Sequence, residues 1–215
     1  MKTRWFIGLA VFLLTLTACT LPSSGSNEYA TALERDIPIG QTLPGTDIRY
    51  VSKTDQGAQV SIGGQNALKR VFDSLSWRGQ PIPGVQVSYN MRVIAYDADS
   101  LQVGGTAKVT LTNIRPRAAP PSEFPKNALV LKGGVTYDVG RGKAIPNSTL
   151  TYEGKTPDGA KLGGIDGYPY RKEADSIVWT GQLADRLYSQ LDLRVVIFDD
   201  TSLKTTGTIT LLLAP

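Results

Sequence analysis

The sequence predicts an all-β protein built from two tandem copies of one small antiparallel domain, a β-sandwich or partly open barrel. Three observations carry this prediction. The chain matches itself without a gap at an offset of 102 residues. Within each copy apolar residues recur at every second position, and Gly, Asp, Asn and Pro gather between these runs, where hairpin turns need them. Beyond the N-terminal apolar run, no segment has the 3.6-residue period of an amphipathic helix.

The chain opens with Lys2 and Arg4, continues as an apolar run from Trp5 to Leu16, and reaches small residues before a cysteine. This is the order of a cleavable export signal. The run is well short of the roughly 20 residues that a membrane-crossing helix needs. Leu16, Thr17, Ala18 and Cys19 resemble the lipobox of bacterial lipoproteins. The resemblance covers about the first 20 residues. It implies a signal peptide over 1–18, a diacylglycerol on the Cys19 sulfur, cleavage before Cys19 and acylation of the new amine. Thr20 stands where an aspartate keeps such lipoproteins in the inner membrane, which implies the outer membrane in a cell that has one. Each buried methylene adds about 0.8 kcal/mol of membrane affinity, so two or three acyl chains anchor stably. The expected location is the cell membrane or outer membrane, facing the periplasm or the exterior.

Residues 19–35 read as the lipidated N-terminus and a flexible tether rich in Ser, Pro and Gly, with at most a helical turn near 28–35. The first copy is predicted over 36–111. From Val85 to Ala95 it alternates Val85, Val87, Tyr89, Met91, Val93 and Ala95 with polar residues. Such alternation marks a half-buried antiparallel strand. Its last strand turns Leu101, Val103, Ala107, Val109 and Leu111 inward. Earlier strands are expected near 47–52, 57–62 and 69–78. A Pro-rich linker follows over 112–137, where the apolar stretch Ala128–Leu131 is a candidate added strand.

The second copy is predicted over 138–213. Tyr50, Lys53, Thr54, Gly57 and Ala58 recur as Tyr152, Lys155, Thr156, Gly159 and Ala160, and Asp73, Ser74, Trp77, Gly79 and Gln80 recur as Asp175, Ser176, Trp179, Gly181 and Gln182. About a quarter of the positions are identical, which marks a duplication. Its counterpart of the long strand alternates Leu187, Leu191, Leu193, Val195 and Ile197 with polar residues. The two copies form either separate domains or one continuous sandwich.

Composition excludes several functions. Cys19 is the only cysteine and histidine is absent, so disulfides, thiol nucleophiles, Ser-His-Asp catalysis and histidine-ligated metals do not arise. The net charge of +4 includes Lys2 and Arg4 of the signal, so +2 remains after cleavage. A balanced surface on an exported chain argues against nucleic-acid binding.

Five features invite a chemical reading. Asp97 with Asp99, and Asp199 with Asp200, sit where two long strands join; calcium ligation is one reading, turn capping the favoured one. Gly140–Lys143 fails the phosphate-loop pattern, because Tyr137 and Ala144 occupy required positions. Trp77 and Trp179 are assigned to equivalent core positions with each indole N–H on a turn acceptor. Asn147–Thr149 spells a glycosylation sequon. The loop before the Trp strand differs most between copies. Tyr168, Tyr170, Arg171 and Lys172 in the second copy, against Asn66, Leu68, Lys69 and Arg70 in the first, make the candidate binding site, two aromatic faces beside two cations.

These features lead to a non-enzymatic, membrane-anchored binding or structural module without a cofactor, an accessory subunit of an envelope complex. The alternative is a glycan-binding or glycan-acting envelope protein that uses the aromatic loop. The partners expected are the membrane, through the lipid on Cys19, and an envelope protein or glycan.

Overall fold

The computed structural model describes residues 27–214. The expected signal peptide at 1–18, Cys19 and the expected tether up to Ser26 lie outside the described residues. The fold is all-β, in antiparallel sheets, with neither a closed barrel nor, among the described residues, a helix long and apolar enough to cross a membrane.

The first copy contributes β1 (Glu28–Pro38), β2 (Arg49–Thr54), β3 (Gly57–Ile62), β4 (Gln65–Lys69), β5 (Ser74–Ile82), β6 (Val85–Tyr96) and β7 (Ser100–Leu111). After β8 (Arg117–Ala118) and a 3-10 turn at Pro121–Glu123, the second copy contributes β9 (Leu129–Gly140), β10 (Thr151–Thr156), β11 (Gly159–Gly163), β12 (Tyr170–Arg171), β13 (Ser176–Ala184), β14 (Leu187–Phe198) and β15 (Ser202–Leu213). The first copy forms a four-stranded sheet in the order β1-β7-β6-β5 and a three-stranded sheet β2-β3-β4. The second repeats this as β8-β13-β14-β15-β9 and β10-β11-β12.

In each copy the small sheet is pinned to the large one by a buried tyrosine. The Tyr50 hydroxyl donates to the Asp97 carbonyl, and its counterpart Tyr152 donates to the Asp199 carbonyl. Around these pins Ile48, Val60, Met91 and Val103 are buried in the first copy, and Leu150, Leu162, Leu193 and Leu203 in the second. Each large aliphatic side chain taken wholly out of water contributes about 1.5–3 kcal/mol.

Besides the strand expected near 69–78, which is divided between β4 and β5 in different sheets by a turn at Val71–Phe72, three expectations need correction. Residues 28–35 are not tether or helical turn but most of β1, which pairs along its whole length with β7. Tyr29, Leu33 and Ile37 face inward from it. Their spacing of four fits a helix face as well as every second inward position of a strand, so periodicity alone is ambiguous. Likewise residues 129–137 are not linker, because β9 runs through them and closes the edge of β15. The third correction concerns the long strands. Register shifts between Val93 and Ala95, and between Val195 and Ile197, are β-bulges, and they turn Ala95 and Ile197 outward. Elsewhere on these long strands the predicted inward faces are buried, including all five residues named on the last strand of the first copy.

Nearly all the buried apolar residues of both copies belong to one hydrophobic cluster. At the join, Thr31 Oγ1 on β1 donates to the Lys132 carbonyl on β9. The Tyr29 hydroxyl lies 3.2 Å from that of Tyr137 and accepts the side-chain amide of Asn147. Burial raises the pKa of Tyr29 above its ordinary value, so this contact is made between neutral groups.

Candidate functional site

The loop that distinguishes the copies is the natural place to begin. In the first copy Gly63 and Gly64 make a tight turn, and β4 pairs with β3 over five residues. In the second, Gly164–Pro169 replaces that turn, and β12 is cut to two paired residues. Proline has no N–H to give a ladder, so Pro169 contributes only its carbonyl, which accepts the Leu162 N–H, and regular pairing starts at Tyr170. The shortened hairpin leaves a longer loop standing out from the sheet.

Within it the structure brings Tyr168 and Tyr170 together, with ring centroids 5.3 Å apart in an edge arrangement. Tyr168 is 66% exposed, while Tyr170 is partly buried. Arg171 lies behind them rather than beside their faces. Its Nη1 donates to the Tyr168 and Tyr170 carbonyls and its Nε to the Ser176 carbonyl, so the guanidinium holds the loop in shape. In the first copy Lys69 Nζ donates to the Ser74 carbonyl in the matching place. Lys172 has an exposed side chain, and its backbone N–H donates to the Asp175 carboxylate. Of the four predicted residues, two therefore pair as aromatics, one braces them and one offers free charge.

A cavity of about 550 Å³ opens next to this loop. Its walls include Asp166, Arg171, Leu150, Trp179, Ala119 and Pro120. The tyrosines do not line it. Trp179 is buried and its indole N–H donates to Thr149 Oγ1 at 2.9 Å, in the loop before β10, as expected of a turn acceptor. Trp77 differs. It is only partly buried, packs on Tyr89 with centroids 6.0 Å apart, and has Asp47 where the second copy has Thr149. The Trp-x-Gly-Gln pattern has a packing cause in both copies: each indole folds over the glycine two residues on, where a Cβ would come within 2.4 Å of the ring at Gly79 and 2.2 Å at Gly181.

The wall made by β8 went unread in the sequence. Ala119 N–H donates to the Thr180 carbonyl, Thr180 Oγ1 returns a bond to the Ala119 carbonyl, and Arg117 Nε donates to Gln182 Oε1 at 2.7 Å. Two paired residues inside a Pro-rich stretch carry no period to detect.

The remaining candidates resolve into structure. Asp97 Oδ1 accepts the N–H groups of Asp99 and Ser100, and Asp199 Oδ1 accepts those of Thr201 and Ser202. These bonds lower both carboxyl pKa values; at Asp97 the Ser100 N–H contributes most, at Asp199 the Thr201 hydroxyl. Among the described residues no three acidic side chains gather as a metal site. The sequon residue Asn147 is buried against Tyr29. At Gly140–Lys143 the chain turns from β9, with Arg141 Nε on the Glu153 carbonyl.

Comparison of the chain with protein-family models, with curated proteins and with solved structures finds no match in any of the three.

Proposed function

We propose that the chain is a lipid-anchored lipoprotein of the cell envelope that acts as a binding or structural module, an accessory subunit of an envelope complex, without catalysis of its own. The observation that carries this reading is the lipobox Leu16–Cys19 at the end of an apolar run too short to stay in the membrane. The described part is consistent with it. The carboxylates with lowered pKa are engaged by turn amides and hydroxyls, which leaves them acting as caps rather than as acids or bases. A stiff doubled β scaffold with divergent loops suits recognition, because loops held by rigid strands present side chains in fixed positions.

Replacing Cys19 with serine tests the anchor, and the expected outcome is loss of palmitate labelling and of signal cleavage. Purification of the wild-type protein from detergent-solubilised membranes tests the partner: a protein recovered in stoichiometric amount supports the subunit reading. One observation favours glycan recognition as a second reading, the exposure of Tyr168 on a ring pair. Retention on cell-wall polysaccharide that disappears in the Tyr168→Ser, Tyr170→Ser variant at unchanged stability would decide for it.

A further inference from the structure

The duplication supplies a comparison between its two copies. In the second copy the outer edge of β13 is covered by β8, with Gly181 opposite Ala118 and Gln182 opposite Arg117. In the first copy the matching strand, β5, is the last in its sheet, and no described residue pairs with its outer edge. The sequence of the edge is retained: Gly79 and Gln80 stand where Gly181 and Gln182 stand. Because the Thr180 carbonyl faces β8, the backbone of Arg78, its counterpart, faces outward. An uncovered run of backbone donors and acceptors is a template for another strand.

We propose that the open edge of β5, over Ser76–Gln80, is a strand-addition site for an extended segment of another protein, running antiparallel and carrying a carboxylate opposite Arg78. This inference rests on the reading of the chain as a binding module and names the class of partner. Charge complementarity sets the carboxylate. Where Thr180 gives its hydroxyl to the neighbouring backbone, the first copy has an exposed arginine with no ion pair among the described residues. Next to it a hollow of about 390 Å³, walled by Leu43, Pro44, Trp77 and Gln80, accepts a small apolar side chain. Its far end is closed, because Arg186 of the second copy donates to the Pro81 carbonyl. The segment's pattern, read from β8, is a donor side chain for Gln80, a small residue opposite Gly79, then the acid. Main-chain bonds give such pairing its affinity and the alternate side chains its specificity.

The test uses the intact, detergent-solubilised lipoprotein and a fluorescent peptide, Arg-Pro-Arg-Ala-Glu-Pro-Pro, which is the sequence of 115–121 with glutamate in place of Ala119. Expected are protection of β5 amides within Ser76–Gln80 from hydrogen exchange and binding up to about fivefold tighter than that of the unaltered sequence, the upper end for an exposed ion pair. Arg78→Glu should remove that preference. Methylating the peptide nitrogen of its glutamate, the counterpart of the Ala119 donor, should weaken binding about tenfold. Protection at another strand, a preference unchanged in Arg78→Glu, or concentration-dependent protection of β5 without peptide, which would mean that a second copy holds the edge, overturns the proposal. Peptide pairing on β5 with no protein recovered from membranes supports the edge site and removes the subunit reading. Equal recovery of one protein by wild type and Arg78→Glu, with no peptide binding, keeps that reading and removes the edge site.

Discussion

The two tryptophans separate burial from sequence equivalence. Trp179 has its N–H satisfied and its ring enclosed, so Trp179→Ala should cost about 3–5 kcal/mol in denaturant unfolding. Trp77, partly in solvent, should cost clearly less, and an equal loss from both would contradict the difference in their surroundings. The turn aspartates set an acid dependence. Asp97 and Asp199 have carboxyl pKa values below the ordinary 3.8, so ionisation favours the folded state. Their contribution is complete above the ordinary value and is lost as pH falls through the lowered folded one. Asn at either position keeps an oxygen for the amides but no titration. The double variant Asp97→Asn, Asp199→Asn should therefore show a flatter decline of melting temperature with acid, and an unaltered acid limb would refute the assignment. At the candidate loop the sequence located Tyr168 and Tyr170 as neighbours, because proximity in the chain is visible. It did not reveal that Arg171 turns back onto their carbonyls, since a guanidinium's choice among backbone acceptors depends on where the chain folds next.

Strand by strand, the meander in each copy was readable wherever one face was buried and the other wet. β6, β7, β14 and β15 are clear examples, with alternation broken only at the bulges and at Gly105 and Gly207. The edge strand β1 was not recognised, and β9 was recognised only at its start, in the apolar stretch Ala128–Leu131, for two reasons. Self-comparison stops at residue 36 because no identity links 28–35 to 130–137, and edge strands tolerate divergence since only one side is paired. The copies share a tight crossing, between β6 and β7 at Gly105 and between β14 and β15 at Gly207. A Cβ there would lie 2.1 Å from the carbonyl oxygen of Asn90 or of Asp192. Gly105→Ala and Gly207→Ala should each shift the local pairing and destabilise by about 1–3 kcal/mol, as overpacking does. Similar losses in both, with slowed or absent loss of amide protection elsewhere in the small sheets, would localise the effect to this ladder. Neutral behaviour of either variant would show that the strands part more easily than their spacing indicates.

At the scale of the whole molecule, the continuous core and the polar contact at Tyr29 join the copies thermodynamically. Unfolding should be one transition, with calorimetric and van't Hoff enthalpies in agreement. Tyr29→Phe leaves the buried Asn147 amide without its acceptor and should cost about 1–3 kcal/mol, and two resolved transitions in that variant would show that this contact fuses the halves. Two separate transitions in the wild type would instead mean that each copy is autonomous. The cover that β8 gives to β13 also has a consequence of simple counting. A segment between repeats can shield the repeat that follows it, and among the described residues none does so for the first repeat. A row of any length joined in this way has one fewer connectors than repeats, so further duplication would lengthen the row while leaving a single uncapped end. That end always belongs to the repeat nearest the N-terminus.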